Sequence, residues 1–316
     1  MAQQAQFVTL DVFTSQPYSG NPLAVVFLPS KDGFTANSLT QNQKQAIARE
    51  FNLSETIFVH ADNGPKRTID IFTTSCELPF AGHPTIGAAS WFLSHSKGNG
   101  DENVNTLTTK SGDIPITLHA GQNAVAARIA HDTRIHAARF PARELLRLHR
   151  SLEPFIQADA TFPIFSIVKG MSQIHVELPS PEALAAVTTA ADGEIPSSTS
   201  GYLNKDWESG IILTYFFVRN VKDSLTGKTI IRTRGILGNL EDPATGSAAS
   251  GLTSYLTLVE GKAGNYQYDV VQGVEMGRRS EIGVGVVMKE DNKIDSVELK
   301  GNAVKVSEGS ILVPQE

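Results

Sequence analysis

Two short segments half a chain apart read as copies of one device. The first runs Glu77-Leu78-Pro79-Phe80-Ala81-Gly82-His83-Pro84-Thr85-Ile86-Gly87-Ala88-Ala89, the second Glu241-Asp242-Pro243-Ala244-Thr245-Gly246-Ser247-Ala248-Ala249-Ser250-Gly251. Each sets an acidic residue, a proline and a small-residue turn ahead of a run of Ala, Gly and Ser. Such a run suits a helix that its neighbours approach closely. A helix start led by glycine leaves backbone N–H groups unpaired at the positive end of the helix dipole, which favours an anion. Two of them, about 164 positions apart in 316 residues, predict two related domains facing one cleft, with a small carboxylate held from both sides.

The length exceeds one typical domain. A 41% hydrophobic and 19% charged composition is that of an ordinary globular chain. A net charge of -6, with no basic run longer than a pair such as Arg278-Arg279, lacks the usual electrostatic footprint of nucleic-acid binding. No apolar run approaches the roughly 18 residues a membrane span needs. The opening Met1–Gln6 shows no charged-then-apolar leader pattern. The expectation is a cytoplasmic protein with neither membrane nor nucleic acid as partner. Cys76 is the single cysteine. It excludes an intrachain disulfide and a thiolate metal cluster, and it reads as a small core or loop residue.

Strand formers over Phe7–Phe13 and Leu23–Leu28, around the turn residues 16–22, predict a wide hairpin. Thr40 and Gln43 fit a capping box for a helix ending near Phe51, broken by Asn52-Leu53-Ser54. Strands are expected at 56–60, 68–73, 106–109, 114–119 and 124–129, and a loop at 98–103. The helix after His83 has Pro84 in its first turn and should reach about His95, buried because its apolar residues lie on several faces. A surface helix is expected over 137–153. Strands at 162–168 and 174–178 would be the second-half counterpart of the opening hairpin. Ser180-Pro181 starts a helix. Further strands are expected at 211–218 and 229–232, a second central helix after Gly246, and alternating strands in the tail. The mixture lacks a βαβα rhythm, which predicts α+β. The glycines match neither a dinucleotide fingerprint nor a P-loop.

Four side chains beside these turns can do chemistry. His83 lies at a helix mouth, where the dipole favours a neutral imidazole that donates a hydrogen bond; it could equally cap its own helix. Asp242 and Ser247 could be caps or ligand contacts. Glu55 opens an apolar strand, where desolvation would raise its pKa and suit proton transfer; the alternative is a solvated glutamate at a strand start. The histidines show no zinc spacing, and no Gly-x-Ser-x-Gly elbow is present.

Taken in order, several segments resemble the phenazine-biosynthesis-like isomerases, the PhzF family. They are Asp11-Val12-Phe13 with Gly20-Asn21-Pro22; Ala48 to Thr56; Glu77 to Pro84; Glu241 to Ala248; and Gln272-Gly273 through Arg278. The resemblance implies a diaminopimelate-epimerase-like α+β fold of two pseudo-symmetric domains, each a mixed, barrel-like sheet around a central α-helix. The implied halves are residues 1–125, with 302–316 crossing back, and 126–301. It also implies a homodimer and a cofactor-free, metal-free isomerase acting on a small carboxylate-bearing metabolite. Glu55 would move the proton. His83, Asp242, Gly82, Gly246 and Ser247 would hold the substrate. The run Ile231–Leu240 departs from the family pattern, which leaves the substrate itself open. A racemase or epimerase, or a non-catalytic anion-binding protein, are the rival readings.

Overall fold

The computed structural model describes residues 3–28, 39–61, 64–96, 101, 103–119, 121 and 124–315. It divides into two units, Met1–Arg128 with Lys300–Glu316, and Ile129–Leu299. In chain order the first half holds β1 (Gln4–Val12), β2 (Asn21–Phe27), α1 (Gln41–Phe51), β3 (Glu55–Val59), β4 (Lys66–Phe72), β5 (Glu77–Leu78), α2 (Gly82–Ser90), β6 (Thr106–Thr109), β7 (Gly112–His119) and β8 (Ala124–Ile129). The second half holds β9 (Arg134–Pro141), α3 (Ala142–Leu148), β10 (Thr161–Val168), β11 (Met171–Glu177), α4 (Pro181–Ala185), β12 (Ile211–Lys222), β13 (Thr229–Leu237), β14 (Leu240–Asp242), α5 (Gly246–Glu260), β15 (Gly264–Gln272), β16 (Ser280–Met288) and β17 (Ile294–Gly301). The last strand, β18 (Ala303–Leu312), returns to β1.

Strand pairing shows the internal repeat. β1 lies antiparallel between β18 and β2, β2 runs parallel to β3, and β4 follows antiparallel with short β5 on it. β4 then pairs parallel with β6, which turns back into β7. In the second half β10 lies antiparallel between β9 and β11, β11 runs parallel to β12, and β13 follows antiparallel with short β14 on it. β13 pairs parallel with β15, which turns back into β16. Around the turn before each buried helix the register repeats. Glu77 stands opposite Phe72 as Glu241 stands opposite Ile236.

All nine residues of α2 are buried, and α5 is buried over most of its length. Their small side chains let the surrounding strands approach. A Cβ on Gly87 would lie 2.3 Å from Leu23 Cδ2, and one on Gly251 would lie 2.0 Å from Gln173 Oε1. Leu23 and Gln173 are themselves register equivalents, so a Cβ at the same place in either half would displace a buried side chain. The acidic residue that opens each segment holds the turn ahead of its helix. Glu77 is bound by Lys110 and Gln41, and Glu241 makes a two-pronged ion pair with Arg234 at 2.7 Å.

Local chemistry sets the ends of α1. Thr40 and Gln43 close a reciprocal capping box, and Asn52 leaves the helix in the left-handed region (φ 52°), which asparagine tolerates. That turn delivers Ser54 and Glu55 to the start of β3. Ser180 caps α4 through the backbone N–H of Ala183. The expected helix over 137–153 is replaced in part. Residues 134–141 form β9 against β10, with His136 and Phe140 turned inward, and helix begins only at Ala142. The strand expected at 229–232 runs on to Leu237, and β15 was not anticipated. The loop expected at 98–103 falls mostly outside the described residues. Cys76 is exposed in the loop between β4 and β5. Among the described residues no helix is long and apolar enough to cross a membrane.

Candidate active site

In the first half, β3 and α2 bring Glu55 and His83 together, 28 positions apart in the chain. His83 Nδ1 lies 3.1 Å from Glu55 Oε2. His83 is the second residue of α2, and its ring is 4% exposed. Its other nitrogen, Nε2, is buried and has no hydrogen-bond partner among the described residues. Leaving such a group unpaired costs about 1–3 kcal/mol, so it points to a ligand atom. The helix start adds to this. Ala81, the residue before α2, has no side chain to cap it, and Pro84 has no N–H, so Gly82 and His83 present the first-turn donors. His83 therefore does not cap its own helix.

Glu55 is mostly buried, with 18% of its side chain exposed. Its protonation corrects the sequence expectation. Burial pushes the carboxyl up, as expected from an apolar strand. The hydrogen bond and charge of His83, with the hydroxyl of Ser54, together outweigh burial and hold the carboxyl below the ordinary glutamate range. Glu55 is thus a carboxylate near neutral pH. Ser54 Oγ also lies 3.4 Å from Asn21 Oδ1, so its single hydrogen is shared between Glu55 and the start of β2.

In the second half, Thr245 is the residue before α5, and its side chain makes no cap; Gly246 and Ser247 open the helix. The Thr245 hydroxyl donates instead to Asp242 Oδ2 at 2.7 Å. Asp242 Oδ1 accepts from the Ala244 backbone N–H at 3.4 Å. Neither Asp242 nor Ser247 is the helix cap. Ser247 is half-buried and Gly246 buried. Behind them, Gln272 at the end of β15 donates from Nε2 to the Asp242 carbonyl at 2.7 Å and to Thr245 Oγ1 at 3.0 Å. In the sequence Gln272 is only the first residue of the Gln272-Gly273 motif, with no role of its own.

The register equivalents differ sharply between halves. The counterpart of Glu55 is Leu213, and that of His83 is Ser247. The counterparts of Asp242 and Thr245 are Leu78 and Ala81. Among the described residues no three His, Cys, Asp or Glu side chains converge as a metal ion would need.

Two repeated α+β halves, each built around a buried helix whose start is uncapped, make up a diaminopimelate-epimerase-like fold. The model of the phenazine biosynthesis-like protein family, PhzC-PhzF, matches residues 10–309, and the chain belongs to that family. Members of this family are isomerases. Over 313 residues the chain is 30% identical to the trans-2,3-dihydro-3-hydroxyanthranilate isomerase of Pseudomonas chlororaphis, covering 97% of this chain and 99% of that one. The crystal structure of a Bacillus anthracis phenazine biosynthesis protein of the PhzF family superposes with a TM-score of 0.71 at 20% identity, covering 98% and 100% of the two chains. A hydroxyproline epimerase from Agrobacterium vitis shares the fold at a TM-score of 0.61 and 11% identity, over 99% of this chain and 94% of that one.

Proposed function

We propose that this protein moves a proton within a small carboxylate-bearing substrate, with Glu55 as the group that takes the proton and returns it. The observation that carries this is the Glu55–His83 pair at 3.1 Å beside an unpartnered, buried His83 Nε2. Glu55 begins the cycle ionised. A base held at low pKa is weak, so the substrate C–H must be acidified by stabilising the negative charge that develops as the proton leaves. His83 and the N–H groups at the start of α2 supply such donors. Asp242, Ser247 and Gly246 receive the substrate's amino, hydroxyl or carboxylate groups. Taking the proton protonates Glu55, and giving it back to another carbon restores the carboxylate, so no external acid, oxidant or cofactor enters the balance. The active form is a homodimer acting on a metabolite of the cytoplasm.

A racemase is the second reading, favoured by the fold shared with the hydroxyproline epimerase. Inverting a stereocentre needs an acid and a base on opposite faces. The position equivalent to Glu55 is Leu213, and the carboxylate that would have to serve, Asp242, is engaged by Thr245 and Ala244. This asymmetry favours one-carboxylate chemistry. The test is proton NMR of trans-2,3-dihydro-3-hydroxyanthranilate with the protein in D2O. Isomerised product whose new C–H carries either the returned protium or, where protonated Glu55 exchanges with solvent before giving its proton back, one deuterium supports the reading. Deuterium at a retained stereocentre of an amino acid such as proline, in both enantiomers, would replace it with the racemase.

A further inference from the structure

We propose that Tyr215 and Gln272 are positioning residues that hold the Asp242 carboxylate in place through Thr245. This rests on the reading that Asp242 binds substrate. Gln272 uses all four of its hydrogen-bonding positions. Its amide nitrogen donates to the Asp242 carbonyl and to Thr245 Oγ1. Its Oε1 accepts from the Tyr215 hydroxyl at 2.9 Å and from the Thr245 backbone N–H at 3.2 Å. This pattern fixes the orientation of the amide. Because the Thr245 oxygen accepts from Gln272, its single hydrogen is left to point at Asp242 Oδ2, 2.7 Å away. Tyr215 is fully buried, and its hydroxyl also lies 3.0 Å from Thr233 Oγ1. The result is a chain of hydrogen bonds from Tyr215 on β12, through Gln272 on β15, to the turn before α5.

The fold does not need this chain. The first half builds the same strand order and the same helix start with Ile57, Ile69, Leu78 and Ala81 at the places of Tyr215, Thr233, Asp242 and Thr245. None of those four side chains can hydrogen-bond. At the place of Gln272 stands Thr109, whose hydroxyl is spent within its own turn on Ser111 and the Gly112 carbonyl. A buried polar network that one half lacks without losing its architecture has a task other than architecture. Its terminus is the Asp242 carboxylate, which a satisfied network restrains more tightly than a single bond would.

The test compares the full-length wild type with Tyr215→Phe, Gln272→Ala and Asp242→Ala. With trans-2,3-dihydro-3-hydroxyanthranilate as substrate, KM should rise about tenfold in Tyr215→Phe, the scale of one lost hydrogen bond, while kcat stays within about threefold. In the Asp242→Ala background the same change should add nothing. An unchanged KM, or an equal rise in both backgrounds, overturns the proposal, since a merely structural residue would act independently of Asp242. Crystal structures of Gln272→Ala and Tyr215→Phe give an arm that needs no substrate. The Asp242 carboxylate should be turned or split between rotamers, and a carboxylate in its wild-type place in both variants overturns the proposal. Glu55→Gln, assayed alongside, separates the two claims. If it keeps full turnover, the proton-transfer reading falls, while the coupling of Tyr215 to Asp242 is still decided by the cycle and the crystals.

Discussion

At the start of β3 the first half carries Glu55, and at the equivalent place on β12 the second carries Leu213. At the turn before the buried helix the pattern reverses: Leu78 and Ala81 stand in the first half where Asp242 and Thr245 stand in the second. One backbone plan therefore carries two different chemistries. The features the plan needs are duplicated, namely the glutamate that ties down the turn, the proline, the glycine that opens the helix and the glycine against the neighbouring strand. The polar groups that could act on a substrate are not. What the halves share is read as architecture, and what they do not share is read as function.

After removal of the base itself, the largest effect that would test this contrast is at His83 and its counterpart Ser247. His83→Ala should lower kcat about a hundredfold, on the scale of a lost charge-stabilising donor. Ser247→Ala should act mainly on KM. His83→Ala should also move the acidic limb of the pH–rate profile upward. The histidine's hydrogen bond and charge hold the Glu55 carboxyl down against burial, and without them burial raises it. A limb that stayed in place would show that His83 does not govern Glu55.

Next in size are the paired glycines. Gly87→Ala and Gly251→Ala should each destabilise the protein by about 1–3 kcal/mol in urea unfolding, the usual cost of overpacking a core. Each new methyl meets a buried side chain at 2.3 and 2.0 Å, respectively. A large loss at one position and none at the other would break the equivalence of the helices. The smallest effect is expected at Ser90 and Ser254, equivalent positions whose hydroxyls are both buried without a partner among the described residues. Replacing either with alanine should leave stability within about 1 kcal/mol or improve it, because no hydrogen bond is lost. A loss above about 2 kcal/mol at one serine alone would reveal a task that the other half lacks.

Much of this architecture was legible in the sequence because its signals are local. Thr40 and Gln43 announced a capping box, Ser180-Pro181 a helix start, and the paired Gly82 and Gly246 the two central helices. The misreadings came from distant partners. Residues 134–141 are rich in Ala and Arg, which favours helix, yet pairing with β10 makes them a strand. The carboxyl of Glu55 looked set to rise from its apolar strand alone. Its lowering depends on His83, brought within 3.1 Å by the fold. Gln272 carried no legible role, because its four partners come from Asp242, Thr245 and Tyr215, the nearest of them 27 positions away.

The most direct measurement is solvent-deuterium incorporation into trans-2,3-dihydro-3-hydroxyanthranilate at saturating substrate, run in parallel on Glu55→Gln and Asp242→Asn. The account predicts that Glu55→Gln loses exchange by about a thousandfold with little change in KM, within the range for removal of a general base. It predicts that Asp242→Asn raises KM and retains most of the exchange. Full exchange by Glu55→Gln, with exchange abolished in Asp242→Asn, would contradict it.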